Sequence, residues 1–119
     1  MAKTPEINSE QEILNLLYKL LKIKHQIIEL GIKYRLTLMQ SFTILILNEP
    51  KTTLKISSIY NCDASNVSGI IDGLRAKHLV SKKFDPNDRR IKYITLTEEG
   101  LLTRKKLLEK LSAGHFKLV

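Results

Sequence analysis

The chain has 119 residues, enough for one domain, or one domain plus an arm, around a single modest core. Its formal net charge is +8, which points to an anionic partner, either nucleic acid or a membrane surface. One cysteine and three histidines, in separate segments, exclude an internal disulfide and leave no spacing for a zinc site. The N-terminus MAKTPEINSE lacks an apolar signal core, and no apolar run reaches membrane-spanning length. A cytoplasmic protein with no membrane partner and no cofactor is expected.

The first long helix runs from Asn8 or Ser9 to Leu30, with Ser9 and Glu12 as a capping box. Ile13, Leu16, Leu20, Ile23, Ile27 and Leu30 form one apolar row, and Leu14, Leu17, Leu21 and Ile28 lie beside it. Two adjacent rows leave more apolar surface than a short monomer can cover, so one row is read as packing on a second copy. Gly31 reads as a stop or a kink. Leu36 to Asn48 is a second, nearly all-apolar helix ended by Pro50. Thr52 and Thr53 suit a short strand, and Leu54 to Tyr60 a two-turn helix with Leu54, Ile56 and Ile59 inward.

Asn61-Cys62-Asp63 is a three-residue turn, with Asn61 tolerant of positive φ and Asp63 able to cap the next helix through its carboxylate. Residues 64–77 form that helix, and Val67, Ile70, Ile71 and Leu74 make its apolar face. At 100° per residue, Ser65, Gly69, Asp72 and Ala76 lie opposite, flanked by Asn66, Ser68 and Gly73. Two glycines on an exposed helix face cost roughly 1 kcal/mol each against alanine, which suggests a close approach by a partner. Drift at exposed positions is the plainer account.

Leu79 to Phe84 and Ile91 to Leu96 read as strands around the tip DPNDRR. Arg75, Lys77, Lys82, Lys83, Arg89, Arg90 and Lys92 concentrate positive charge here, opposed by Asp85 and Asp88. A small-faced helix beside a basic hairpin suits a DNA major groove and its flanking backbone. Thr97 and Glu99-Gly100 start a last helix, amphipathic through Leu101, Leu102, Leu107, Leu108 and Leu111.

From Leu38 to Leu111 the chain resembles the MarR family of winged helix-turn-helix transcription regulators. The resemblance rests on FDPNDRRIKYITLTEEG, close to the family's D-x-x-D-x-R…L-T-x-x-G pattern, on ILILNEP, and on the register of residues 67–80. It implies a mainly α fold with a small β-hairpin wing: an N-terminal dimerisation helix (1–35), a winged helix-turn-helix (36–100), and a C-terminal helix and tail (101–119). It further implies a homodimer on a pseudo-palindromic double-stranded DNA operator, acting as a repressor. Ser65, Asn66, Ser68 and Gly69 would face the major groove. Lys82, Asn87, Arg89, Arg90 and Lys92 would serve the wing, with Arg90 paired to Asp72 to orient it.

The sequence departs from the family at Ala64 and Gly69, where an arginine is common, and at His78, where glycine is usual after the recognition helix. It also ends before the family's further dimerisation helix. A small-molecule effector is a further implication, with Tyr18, Tyr34, Met39 and Phe42 available either to line its site or to fill the core. Cys62 reads as a small buried hydrophobe or as a redox sensor helped by Lys55 or His25. Nothing marks out a catalytic set, and GIIDG lacks the strand and lysine of a phosphate loop. The rival reading is a winged helix used for protein interaction, or a DNA-binding subunit of a larger assembly.

Overall fold

The computed structural model describes residues 9–114; most of the polar N-terminus, and His115, lie outside them. Ser9 caps helix α1 (Glu10–Tyr34), its hydroxyl accepting from the Glu12 amide at 3.1 Å. The helix runs on through Gly31, where a stop or a kink was expected. A Cβ at this buried glycine would lie 2.7 Å from the Leu36 carbonyl oxygen and 3.0 Å from Ser41 Oγ. Gly31 therefore serves close approach, and the corner comes later, at Arg35 in the left-handed region with φ 58°. Arg35 N–H donates to Ile32 O and Leu36 N–H to Gly31 O, the paired bonds of a Schellman ending.

Helix α2 (Leu38–Ile46) is shorter at both ends than its apolar run, and Thr37 caps its start. Thr37 Oγ1 accepts from the Gln40 amide at 3.1 Å, and Gln40 Oε1 accepts from the Thr37 amide at 3.0 Å. The edge strand β1 (Lys51–Thr52) leads directly into α3 (Thr53–Tyr60), with the Thr52 hydroxyl as cap. Of the three residues expected inward on α3, only Ile56 is buried; Leu54 is 77% and Ile59 45% exposed. Ile56, Ser57 and Tyr60 define the buried direction, and Leu54 and Ile59 sit about 110° to either side of it at the α-helical angle. The Tyr60 hydroxyl lies 2.6 Å from Thr43 Oγ1, and burial pushes its pKa above the usual 10.0.

Asn61 forms the next left-handed corner at φ 52°, as its residue type suggests. Helix α4 (Ala64–Ala76) follows, but the Asp63 carboxylate makes no cap bond. The backbone starts this helix instead, Asp63 O accepting from the Asn66 amide at 3.1 Å. His78 is the third left-handed corner, φ 60°, with the Schellman bonds His78 N–H to Arg75 O and Leu79 N–H to Leu74 O. Strands β2 (Val80–Phe84) and β3 (Lys92–Leu96) each start one residue later than expected. The sheet is antiparallel in the order β1-β3-β2, with Val80 opposite Leu96 and Lys51 opposite Ile94.

Helix α5 (Glu98–Gly114) is tied back to the hairpin base by Thr97. Thr97 Oγ1 donates to His78 O at 2.7 Å and accepts from the Gly100 amide at 3.0 Å, while Thr97 N–H donates to Leu79 O at 3.0 Å. A Cβ at Gly100 would lie 2.0 Å from that same Leu79 oxygen. Ile44, Ile56, Val67, Ile71, Leu74, Ile94 and Leu107, one or more from each of α2, α3, α4, β3 and α5, form the fully buried centre. Arg104 Nε reaches Leu45 O at 3.0 Å and closes α5 on α2.

The apolar rows of α1 divide along its length. Ile27 is buried and Leu30 packs on the core, whereas Ile13, Leu16, Leu17, Leu20 and Leu21 are exposed. Leu20 and Leu21 stand 60% and 62% open. On α5, Leu107 is buried, while Leu101, Leu102 and Leu108 are exposed.

Two substitutions test this frame by urea denaturation. His78→Gly should stabilise the chain by about 1 kcal/mol, since a left-handed non-glycine residue costs about that much. Gly100→Ala should destabilise it by about 3 kcal/mol, because the obstacle is backbone and cannot step aside.

Candidate nucleic-acid interface

Helix α4 buries Val67, Ile71 and Leu74 and exposes Ala64, Ser65, Asn66, Ser68, Gly69 and Asp72. This N-terminal set carries only short side chains, so a partner can come near the helix axis there; Arg75, in the last turn, is exposed as well. A Cβ at Gly69 would meet nothing within 4 Å, leaving open space before it. Gly73 differs from its expected role. A Cβ there would lie 2.7 Å from Gln40 Nε2, so this glycine faces α2 within the fold. Close approach from outside rests on Gly69 alone.

The wing tip between β2 and β3 is held by its own carboxylates. Asp85 Oδ1 accepts from the Asn87 amide at 2.8 Å and the Asp88 amide at 3.1 Å, an Asx-type turn. Asp88 Oδ1 accepts from the Arg90 amide at 3.0 Å and Arg90 Nε at 3.1 Å, and Asp88 Oδ2 accepts from Arg90 Nη2 at 3.1 Å. These bonds hold the Asp88 carboxyl below its ordinary range, with the guanidinium the leading cause.

The expected Asp72–Arg90 pair is therefore absent. Arg90 closes a forked ring onto a carboxylate two residues away, which requires ordering no distant segment. Asp72 is exposed and joins no ion pair among the described residues. Arg89, next in the chain, is exposed and makes no side-chain bond among the described residues. Asn87, Lys82 and Lys92 are exposed as well, and Lys92 Nζ lies 5.5 Å from the Phe84 ring centre.

Sequence reasoning missed one basic residue's role. Lys77 belongs to the basic cluster, yet its ammonium donates to Arg35 O and, at 3.0 Å, to Gln40 Oε1. No periodicity links positions 35, 40 and 77; the left-handed corner at Arg35 brings them together.

Cys62 is half-buried and packs against the core, with Lys55 lining the same surface groove. His25 is engaged with Glu29 on the exposed face of α1, at 2.9 Å. Two open grooves flank α3, one toward Cys62 and one toward Ile91 and Tyr93 of the wing. Neither is lined by Tyr18, Tyr34, Met39 or Phe42. Tyr34 packs against the core, whereas Tyr18 is 60% exposed. No helix among the described residues is long and apolar enough to cross a membrane.

Residues 42–100 match the sequence model of the winged helix DNA-binding domain. No curated protein sequence matches the chain. Solved structures similar to it include AbsC, a MarR family transcriptional regulator from Streptomyces coelicolor, at 22% identity and TM-score 0.68, covering 91% of this chain and 78% of that one. A point mutant of MepR from S. aureus, bound to an oligodeoxyribonucleotide, matches at 17% identity and TM-score 0.68, covering 94% and 88%. CouR from Rhodococcus jostii, bound to p-coumaroyl-CoA, matches at 24% identity and TM-score 0.71, covering 91% and 76%.

The two arginines of the tip should separate in experiment. Arg89→Ala should weaken binding to every duplex and flatten the slope of log K against log salt by about one contact. Arg90→Ala should leave that slope alone and speed amide exchange at Asn87 and Asp88. The Asp88–Arg90 ring should persist as pH falls through the ordinary aspartate range and open only below it, read from the Arg90 Nε signal.

Proposed function

We propose, for a chain that matches the winged helix DNA-binding domain over residues 42–100 and has the fold of the MarR family regulators, that it represses transcription as a homodimer on a pseudo-palindromic operator. It is a DNA-binding transcription regulator. The observation that carries the reading is the open face of α4 at Gly69, set beside a wing whose Arg89 has no partner among the described residues. Ser65, Asn66, Ser68 and Gly69 face the major groove. Asn87, Arg89, Lys82 and Lys92 serve the backbone or minor groove, and Arg90 shapes the tip from which Arg89 projects.

A good bidentate base contact discriminates by roughly 1–3 kcal/mol, and among Ser65, Asn66, Ser68 and Gly69 only Asn66 can make one. Much of the preference then comes from DNA shape, A·T-rich sequence under the wings above all. The exposed leucines of α1, joined by those of α5, support a second copy as the partner of these two helices. CouR is bound to p-coumaroyl-CoA in its structure, and a small-molecule effector of this chain would act by shifting the separation of the two α4 helices. The single cysteine and the absence of zinc spacing suit a reducing cytoplasm.

Selection of bound sites from random duplex DNA tests the central claim. Two half-sites about one helical turn apart should emerge. Gly69→Leu should abolish their binding while leaving the melting curve intact. Equal binding by that variant would remove α4 from the groove and favour a protein-interaction module, which the exposed Leu54 and Ile59 of α3 would suit. Leu20→Glu with Leu21→Glu should yield a folded monomer in sedimentation. Ile27 is unsuitable for this test, being part of the chain's own core.

A further inference from the structure

The basic residue nearest the end of the recognition helix, Lys77, is exposed but turned along the surface to touch the corner that joins α1 to the rest of the fold. Lys77 Nζ donates to the carbonyl of Arg35, the left-handed residue closing α1, and to Gln40 Oε1 on α2. A cation placed on carbonyls at a helix C-terminus also meets the negative end of the α1 dipole. Gln40 has three tasks at once. Its Oε1 accepts from the Thr37 amide, it receives Lys77, and its Nε2 fills the space left by the missing side chain of Gly73 on α4.

We infer that Lys77, through Gln40 and the Arg35 carbonyl, is a positioning residue that sets the angle between α1 and the recognition helix, and so the half-site spacing the dimer accepts. The inference rests on the regulator reading but concerns a different quantity, geometry rather than contact. In a symmetric dimer joined through α1, a small rotation of α4 about this junction is applied twice, in opposite senses, across the operator. Gly73 belongs to the same device, since any side chain there would displace the Gln40 amide from Lys77 and Thr37.

The test uses the full chain in a Cys62→Ser background, with spin labels on cysteines placed at Lys22 of α1 and Ser65 of α4, both exposed. A narrow label-to-label distance distribution is expected in the parent, a broader one in Lys77→Met, and recovery in Lys77→Arg. Gly73→Ala, which favours helix and keeps the fold, should broaden it as Lys77→Met does. Unlabelled protein then meets duplexes whose half-sites are moved apart by one or two base pairs. Lys77→Met should lose about tenfold at the preferred spacing, bind the altered spacings nearly as well as the parent, and keep the parent's salt slope. An unchanged distance distribution in Lys77→Met and Gly73→Ala would overturn the inference. So would a uniform loss on all duplexes with a flatter salt slope, which would make Lys77 a phosphate contact. If the parent binds no duplex, the regulator reading fails, while the label distances still decide the positioning role.

Discussion

The Leu79 carbonyl holds this fold together at the point where three elements meet. It accepts from the Thr97 amide, lies against Gly100, and follows the left-handed His78 whose own carbonyl takes the Thr97 hydroxyl. Through these contacts the end of α4, the base of the hairpin and the start of α5 become one rigid corner. The wing projects from that corner, so its direction relative to α4 is set at its base. The expected Asp72–Arg90 strap is not needed there, and Arg90 is released for the tip.

Where local chemistry decides, the sequence was legible. The cap at Ser9, the left-handed Asn61, the two wing strands and the inward set Val67, Ile71 and Leu74 each follow from residue type and spacing. Gly31 and Gly73 misled. None of the described glycines has positive φ. Gly31, Gly73 and Gly100 stand where another part of the chain comes close, and the corners go to Arg35, Asn61 and His78. A glycine in sequence does not say which of its two uses applies, because closeness depends on a segment far along the chain.

The site divided in the same way. The outward face of α4 was readable from helical periodicity, and Gly69 opens as that face requires. The partners of charged side chains were not readable. The resemblance paired Arg90 with Asp72, whereas the shorter ring to Asp88, closed with Arg90's own amide, formed instead. Lys77 looked like surface charge until the fold put Arg35 and Gln40 beside it. Composition counts cations but does not say which are already engaged.

The strand order β1-β3-β2 leaves β2 as an open edge, with its unpaired amides and carbonyls facing outward. Lys82 and Lys83 occupy the middle of that edge, both exposed. Without DNA these lysines repel an approaching strand and discourage edge-to-edge stacking of wings from separate molecules. Under the proposed DNA-binding reading the same charges would have two uses, protecting the free protein from aggregation and attracting phosphate. Neutralising them would lower colloidal stability, a loss felt first at high protein concentration.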